Sequence, residues 1–159
     1  MRLVYCVILL TASLGLPARA FDVAERAYYR GDYVHAARLF LPQAQAGRAV
    51  AQSFLGYQYQ NGLGVPKSEE EAARWFQRAA EQGEPSAQFF LGLLYDRGLG
   101  LPEDPVEAEK WLDLAAGVAP RGRREYWANM RDIVAAKMTL DEVAEARRRA
   151  TFWRPIRER

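Results

Sequence analysis

Few side chains in this 159-residue sequence have a type and spacing that suit catalysis. Its one histidine, His35, lies in the first turn of a predicted helix, where it is expected to be solvated, and a lone histidine cannot form a zinc cluster. Its one cysteine, Cys6, lies in an apolar N-terminal run and cannot pair with His35 once that run is removed. No G-x-S-x-G motif is present. The sequence therefore predicts no catalytic residue, no metal and no cofactor.

Two other patterns are similar to functional motifs but favour a structural role. Gly62–Gly64 reads Gly-Leu-Gly, without the third glycine and the Gly-Lys-Ser/Thr ending of a phosphate loop, and Pro66 follows it as the end of a connector. The acidic run Glu69–Glu71 lies at a predicted helix N-terminus, where carboxylates complement the helix dipole. A non-enzymatic protein is therefore predicted, with a cell-wall-active envelope enzyme as the alternative.

The first twenty residues have the pattern of a secretory signal peptide. Arg2 gives a positive start, a mostly apolar run extends from Val4 to Leu16, and small residues precede Phe21 in an A-x-A arrangement. This run is shorter than the roughly 20 apolar residues that cross a bilayer, so we expect cleavage before Phe21; a retained anchor is the alternative. We therefore predict a periplasmic or secreted protein.

An internal repeat with an offset of 36 residues predicts the elements that position the remaining side chains. The segment 51–66 returns as 87–102, with ten of sixteen positions identical. A period in the thirties, with apolar residues at helical spacing, is typical of stacked helix pairs. The residues predicted to build the repeat are Leu55, Gly56, Tyr59, Gly62, Gly64, Ala72 and Trp75, matched by Leu91, Gly92, Tyr95, Gly98, Gly100, Ala108 and Trp111.

Helix caps follow the same spacing as the repeat. Asp32, Ser68 and Asp104 each precede a helical pattern and are good N-cap residues. Glu71 and Glu107 lie three residues after their caps, where each is expected to accept a hydrogen bond from the N–H of the cap residue. The pattern predicts three helix pairs, at about 21–47, 48–83 and 84–119, within one repeat domain of residues 21–120.

The repeated pattern A-Q-x-F-L-G-x-x-Y-x-x-G-L-G-x-P, followed by A-x-x-W and A-A, resembles the Sel1-like repeat, a relative of the tetratricopeptide repeat. The preceding Tyr29–Tyr33 segment has a shorter turn and is similar to the N-terminal cap of secreted bacterial members. The resemblance implies an all-α fold, a right-handed α-solenoid of stacked antiparallel helix pairs with C-terminal capping helices. It also implies an adaptor, scaffold or regulator in the cell envelope.

Residues 121–159 are predicted to form a helical cap with a basic tail. They carry 11 basic and 6 acidic residues, whereas residues 21–120 carry 9 basic and 14 acidic residues. The basic residues at the end favour either a solvated surface or contact with an anionic envelope surface. Two apolar stripes are expected to close the end of the solenoid, made of Trp127, Met130 and Val134, and of Leu140, Val143, Ala146, Ala150 and Trp153.

The first helix of each pair is expected to line the concave side of the solenoid. Exposed aromatic side chains with polar neighbours suit the capture of a peptide or protein, so we predict a protein partner in the envelope and no nucleic acid. We expect a monomer, and the alternative for this face is that the C-terminal helix covers it. The predicted partner-binding residues are Glu25, Tyr28, Ser53, Tyr57, Gln60, Asn61, Phe89, Leu93, Asp96 and Arg97.

Overall fold

The computed structural model describes residues 16–156 and residue 158. The regular structure of this part is helical throughout, which confirms the predicted all-α solenoid. Most of the predicted signal peptide lies outside the described residues. The helices are α1 (Leu16–Tyr29), α2 (Tyr33–Gln45), α3 (Ala49–Asn61), α4 (Glu69–Glu81), α5 (Pro85–Arg97), α6 (Pro105–Val118), α7 (Arg124–Ala135) and α8 (Leu140–Phe152).

The helices stack as pairs. Helices α1 and α2, α3 and α4, and α5 and α6 pack against each other, and the second helix of each pair also packs on the first helix of the next. Small residues allow the close approach within a pair, because a Cβ on Gly56 would come within 2.7 Å of the Phe76 ring and one on Gly92 within 2.7 Å of Leu112. Most of the predicted repeat core is buried, namely Leu55, Ala72, Trp75, Leu91, Ala108 and Trp111, with Tyr59 and Tyr95 partly buried beside it.

The connectors inside the second and third pairs are built on glycines with left-handed backbone. Gly62 and Gly98 end their helices with φ of 66° and 61°, which a residue with a Cβ rarely adopts. A Cβ on Gly64 would overlap the backbone of Tyr33, and one on Gly100 would overlap the backbone of Glu69. Each connector therefore contacts the start of the second helix in the preceding pair, which couples one pair to the next.

The predicted caps form, but two of the reciprocal bonds do not. The side chains of Ser68 and Asp104 accept hydrogen bonds from the backbone N–H groups of Glu71 and Glu107, at 3.1 and 3.0 Å. The expectation that the carboxylates of Glu71 and Glu107 bond back to the cap N–H groups is wrong. Those N–H groups donate to Tyr59 and Tyr95 carbonyls instead. The physical reason is that the connector folds the cap backbone onto the preceding helix. The carboxylates instead accept hydrogen bonds from Arg74 and Lys110.

Helices α7 and α8 both pack on α6, as expected of a cap. In the first predicted stripe, Trp127 and Val134 are buried. In the second, Ala146 and Ala150 are buried, but Leu140 is 90% exposed, so its predicted core position is wrong. Leu140 is the first residue of α8, and the helix buries residues only from Ala146 onward.

The segment after α8 folds back across the second and third helix pairs. We call residues 153–156 and 158 the C-terminal tail. The Trp153 ring meets Trp111 edge-on at 5.9 Å between centroids, and the Ile156 N–H donates to the Glu81 carbonyl at 2.7 Å. The Glu158 carboxylate then accepts two hydrogen bonds from Arg78, at 2.9 and 2.6 Å, and one from Gln52 at 2.9 Å. The tail thus ties the cap to earlier repeats.

Candidate functional site

Four helices line a groove of about 950 Å³ on one side of the molecule. They are the first helices of the three pairs, α1, α3 and α5, followed by α7 of the cap. The groove is partly open to solvent. Its lining residues are Glu25, Tyr28, Tyr29, Val50, Ser53, Phe54, Tyr57, Glu84, Ser86, Phe89, Phe90, Leu93, Pro120, Gly122, Arg123, Tyr126 and Trp127.

Aromatic rings run across the floor of the groove from α1 to α7. Tyr28 meets Phe54 at 4.9 Å between centroids and Tyr57 at 6.4 Å. Tyr57 meets Phe90 at 5.5 Å, and Phe90 meets Phe89 at 5.6 Å. We call this row of rings the aromatic belt, and it comprises Tyr28, Tyr29, Phe54, Tyr57, Phe90, Phe89, Tyr126 and Trp127. The belt offers apolar surface with polar hydroxyl groups at both ends.

Tyr28, at the α1 end of the belt, remains neutral. Burial raises the pKa of Tyr28 to about 12, and the neighbouring Tyr57, Tyr33 and Tyr29 add to that rise. Tyr29, next in sequence, is 75% exposed and meets Tyr28 edge-on at 5.5 Å. Tyr28 therefore presents an aromatic ring and an uncharged hydroxyl group to a bound molecule at neutral pH.

Charged side chains occur at both ends of the groove and beside α5. Glu25 is on α1, Glu84 is the N-cap residue of α5, and Arg123 directly precedes α7. Glu84 accepts a hydrogen bond from the Ala87 N–H, which holds its carboxylate at the helix end. Among the described residues, neither Glu25 nor Glu84 has a cationic side chain within salt-bridge distance.

The structure brings six of the ten predicted binding residues together in the groove. They are Glu25, Tyr28, Ser53, Tyr57, Phe89 and Leu93. The other four lie outside its lining, because they occupy the last turns of α3 and α5. Asn61 donates from its side-chain amide to the Tyr57 carbonyl at 2.8 Å, and Asp96 pairs with Lys137 at 2.8 Å. Gln60 and Arg97 belong to the same two helix ends.

The expectation that Phe89 is exposed in the groove is wrong. It is only 3% exposed, because the Trp127 ring of α7 stacks on it at 4.9 Å with an angle of 10° between the planes. The cap therefore covers the belt at Phe89, and Trp127 is itself buried, whereas Tyr29 and Tyr126 stay exposed. Tyr57 and Leu93 remain partly exposed.

Sequence reasoning missed several groove residues, among them Tyr29, Phe54, Phe90, Tyr126 and Trp127. The repeat predicts lining residues only on the first helices of the three pairs, whereas α7 lies beside α5 and adds a fourth helix to the groove. Tyr126 and Trp127 open a helical pattern directly after the repeats, and this position is the signal that indicates their contribution.

The arginines near the C-terminus are partly occupied by partners within the chain. Arg148 and Arg149 pair with Glu145, and Arg149 also reaches Glu107 at 2.9 Å. Arg147 and Arg154 are exposed, while Arg157 and Arg159 lie outside the described residues. Within residues 16–156, no helix is both long and apolar enough to span a membrane. No cluster of potential metal ligands occurs in that part either.

Stacked helix pairs with an aromatic groove are typical of helical repeat proteins, which generally act as interaction modules. The family model of the Sel1 repeat matches residues 49–84 and 85–117. The fold agrees with this match, so the chain carries two Sel1 repeats, which form its second and third helix pairs. Sel1 repeats generally mediate protein–protein interactions.

Two solved structures are similar to the chain. A protective antigen of uropathogenic Escherichia coli with an SLR fold is 29% identical with a TM-score of 0.77, over 86% of this chain and 29% of the antigen. A Sel1 repeat protein from Oxalobacter formigenes is 30% identical with a TM-score of 0.65, over 83% of this chain and 53% of its own. The chain thus spans about half or less of these relatives. Comparison with curated proteins finds no match.

Proposed function

We propose that this protein is a non-enzymatic adaptor, scaffold or regulator that binds a peptide or protein partner in the concave groove. The aromatic belt is the observation that carries the proposal. It lines an open groove across four helices, and Tyr29 and Tyr126 are 75% and 57% exposed. Open aromatic surface with polar hydroxyl groups is what protein interfaces use as anchors.

The construction of the groove also supports a binding role. Its walls are side chains on four packed helices, so the belt is preorganised and a partner orders few protein side chains on binding. The connector glycines and the C-terminal tail hold neighbouring pairs in register. A preformed groove of this kind suits an extended or helical segment of a partner.

We further propose that the protein works in the cell envelope. The signal-peptide pattern of residues 1–20 supports this, as does a chain without cysteine after Phe21, which suits an oxidising compartment. Mass spectrometry of the protein from fractionated cells tests the location. A mature N-terminus at Phe21 in the periplasm or medium is the expected result, and an intact N-terminus in the cytoplasm would refute the envelope location.

A surface substitution tests the binding role. Tyr57→Asp places a carboxylate among the groove rings at a partly exposed position, so we expect proteins that co-purify with the chain to be lost. Gln77→Asp on the exposed face of α4, outside the groove, is the matched control and should retain them. Equal co-purification with both folded variants would show that the groove is not the binding surface.

A further inference from the structure

We infer that the cap formed by α7 and α8 loosens from the third helix pair when the carboxyl group of Glu109 ionises. Because α7 supplies one wall of the groove, this movement opens the groove on that side. The movement of the cap follows from the packing of α6, α7 and α8 alone. Its effect on a bound partner rests on the proposed function of the groove.

Glu109 lies on the side of α6 that the cap covers. Asp113, one turn further along α6, pairs with Arg131 of α7 at 3.3 Å, which places this side of the helix against the cap. The Glu109 side chain is fully buried, and neither carboxylate oxygen accepts a hydrogen bond from a described residue. A buried carboxyl group without such partners is tolerated when it is neutral and is costly when it is charged.

Charged groups of α6, α7 and α8 act on Glu109. Burial is the largest influence and raises the pKa of Glu109 to about 7, and the carboxylates of Asp113 and Asp132 raise it further. Arg131 and Arg147 act in the opposite direction. Arg131 already pairs with both aspartates, so it does not neutralise Glu109. The cap interface therefore favours the protonated form.

The other charged contacts of the cap are partly exposed ion pairs. Arg149 of α8 pairs with Glu107 at 2.9 Å, and Lys137 pairs with Asp96 at 2.8 Å. Helix α5, which also packs on α6, carries charged side chains only in its last turn, at Asp96 and Arg97. Pairs of this kind contribute little in water, so they do not offset a buried charge at the interface.

The direction of the effect follows from the two states of the cap. In an open cap, Glu109 is hydrated and titrates near its ordinary pKa of 4.5, whereas in the docked cap it titrates at about 7. The docked state therefore binds the proton more tightly, and docking weakens as the pH rises from 4.5 through 7. Between pH 6 and pH 8, the equilibrium should shift about tenfold toward the open cap.

Undocking of α7 changes the groove directly. The Trp127 ring stacks on Phe89 at 4.9 Å between centroids, and Tyr126 meets the same ring at 5.7 Å. Movement of α7 withdraws both rings from the groove and exposes Phe89. A partner that fits the groove of four helices is therefore held more tightly at pH 6 than at pH 8.

Hydrogen exchange followed by NMR at pH 6 and pH 8 tests the inference on the folded chain. Protection factors, which correct for base-catalysed exchange, are compared between the amides of the cap and those of α4. We expect cap protection to fall about tenfold between the two pH values, and α4 protection not to fall with it. Glu109→Gln and Glu109→Ala should lose this pH dependence. Glu103→Gln, which removes an exposed carboxylate, should retain it.

Several results would overturn the inference. One is cap protection that is equal at both pH values, and another is an equal fall in α4, which would show global destabilisation without a separate movement of the cap. A ¹³C NMR titration of the unmodified chain needs no variant, and a Glu109 carboxyl carbon that titrates below about pH 5 would also overturn it.

The effect on the partner is measured separately. Proteins that co-purify with the chain should be recovered less at pH 8 than at pH 6, and equally at both with Glu109→Gln. Equal recovery by the unmodified chain, with the expected change in cap protection, would refute the effect on the partner and leave the cap movement standing. The loss of co-purifying proteins in Tyr57→Asp decides the proposed function independently.

Discussion

At the scale of single residues, Glu109 has the most perturbed environment among the described carboxylates. Its side chain is fully buried on α6, and neither carboxylate oxygen has a hydrogen-bond partner in the described structure. Burial raises its pKa to about 7, with a further rise from Asp113 and Asp132, while Arg131 and Arg147 lower it. The corresponding position 36 residues earlier is Ala73. A buried carboxyl group at this repeat position is therefore particular to the third helix pair, which packs against the cap.

This environment makes stability depend on pH. Because the folded-state pKa is above the unfolded value, the folded state binds the extra proton between pH 4.5 and 7. The free energy of unfolding should therefore fall by about 2–3 kcal/mol as the pH rises through that window. Glu109→Gln should flatten the fall and stabilise the protein at pH 8. Urea unfolding at pH 5 and pH 8 measures this, with Glu103→Gln as control; an unchanged slope in Glu109→Gln would contradict it.

A connector glycine gives a second prediction for a single residue. Gly100 has φ of 72°, and a Cβ there would overlap the backbone of Glu69, so Gly100→Ala should both strain the turn and push two helix pairs apart. We expect a loss of more than about 2 kcal/mol, seen as a lower melting temperature. Gly122→Ala, where nothing lies within 4 Å of the new Cβ, should change the melting temperature little. Equal melting temperatures would show that the connector is not tightly packed.

At the scale of elements, the C-terminal tail is held by few contacts, and these connect it to helices that are distant in sequence. Its Glu158 carboxylate has a lowered pKa, chiefly through its hydrogen bonds to Arg78. Glu158→Gln should therefore loosen the tail but leave the helix pairs folded, because the ion pair is partly exposed and contributes about 1 kcal/mol or less.

Hydrogen exchange of the Ile156 amide measures this loosening, since that amide donates to the Glu81 carbonyl. We expect exchange to be about fivefold faster in Glu158→Gln. Glu71→Gln, which removes a surface ion pair with Arg74 away from the tail, is the control. If exchange at Ile156 stays the same, the tail does not depend on the Glu158 contact.

The elements also show how far the sequence predicts this fold. A 36-residue offset with matched caps and glycines predicts the helix pairs and their connectors, since these depend on local backbone preferences. Three features were not predictable in this way: the exposure of Leu140, the burial of Phe89, and the hydrogen bond between Gln52 and Glu158. Each depends on where α7, α8 and the tail pack, and no repeated pattern encodes that packing.

At the scale of the whole molecule, the candidate site arises from stacking. No helix pair contains the groove, because its lining comes from α1, α3, α5 and α7. The repeat predicts which faces are concave and hence six of the lining residues. The fourth wall comes from a segment outside the repeats, so its contribution requires the three-dimensional structure.

Photo-crosslinking in cells from position 57 is the sharpest test of partner binding in the groove. A photoreactive residue replaces Tyr57 in the floor of the groove, and another replaces Gln77 on the exposed face of α4 as the control. We expect one dominant protein adduct from position 57, identified by mass spectrometry, and no such adduct from position 77. An exported, folded protein that gives no adduct from position 57, or the same adducts from both positions, would contradict the groove as the binding surface.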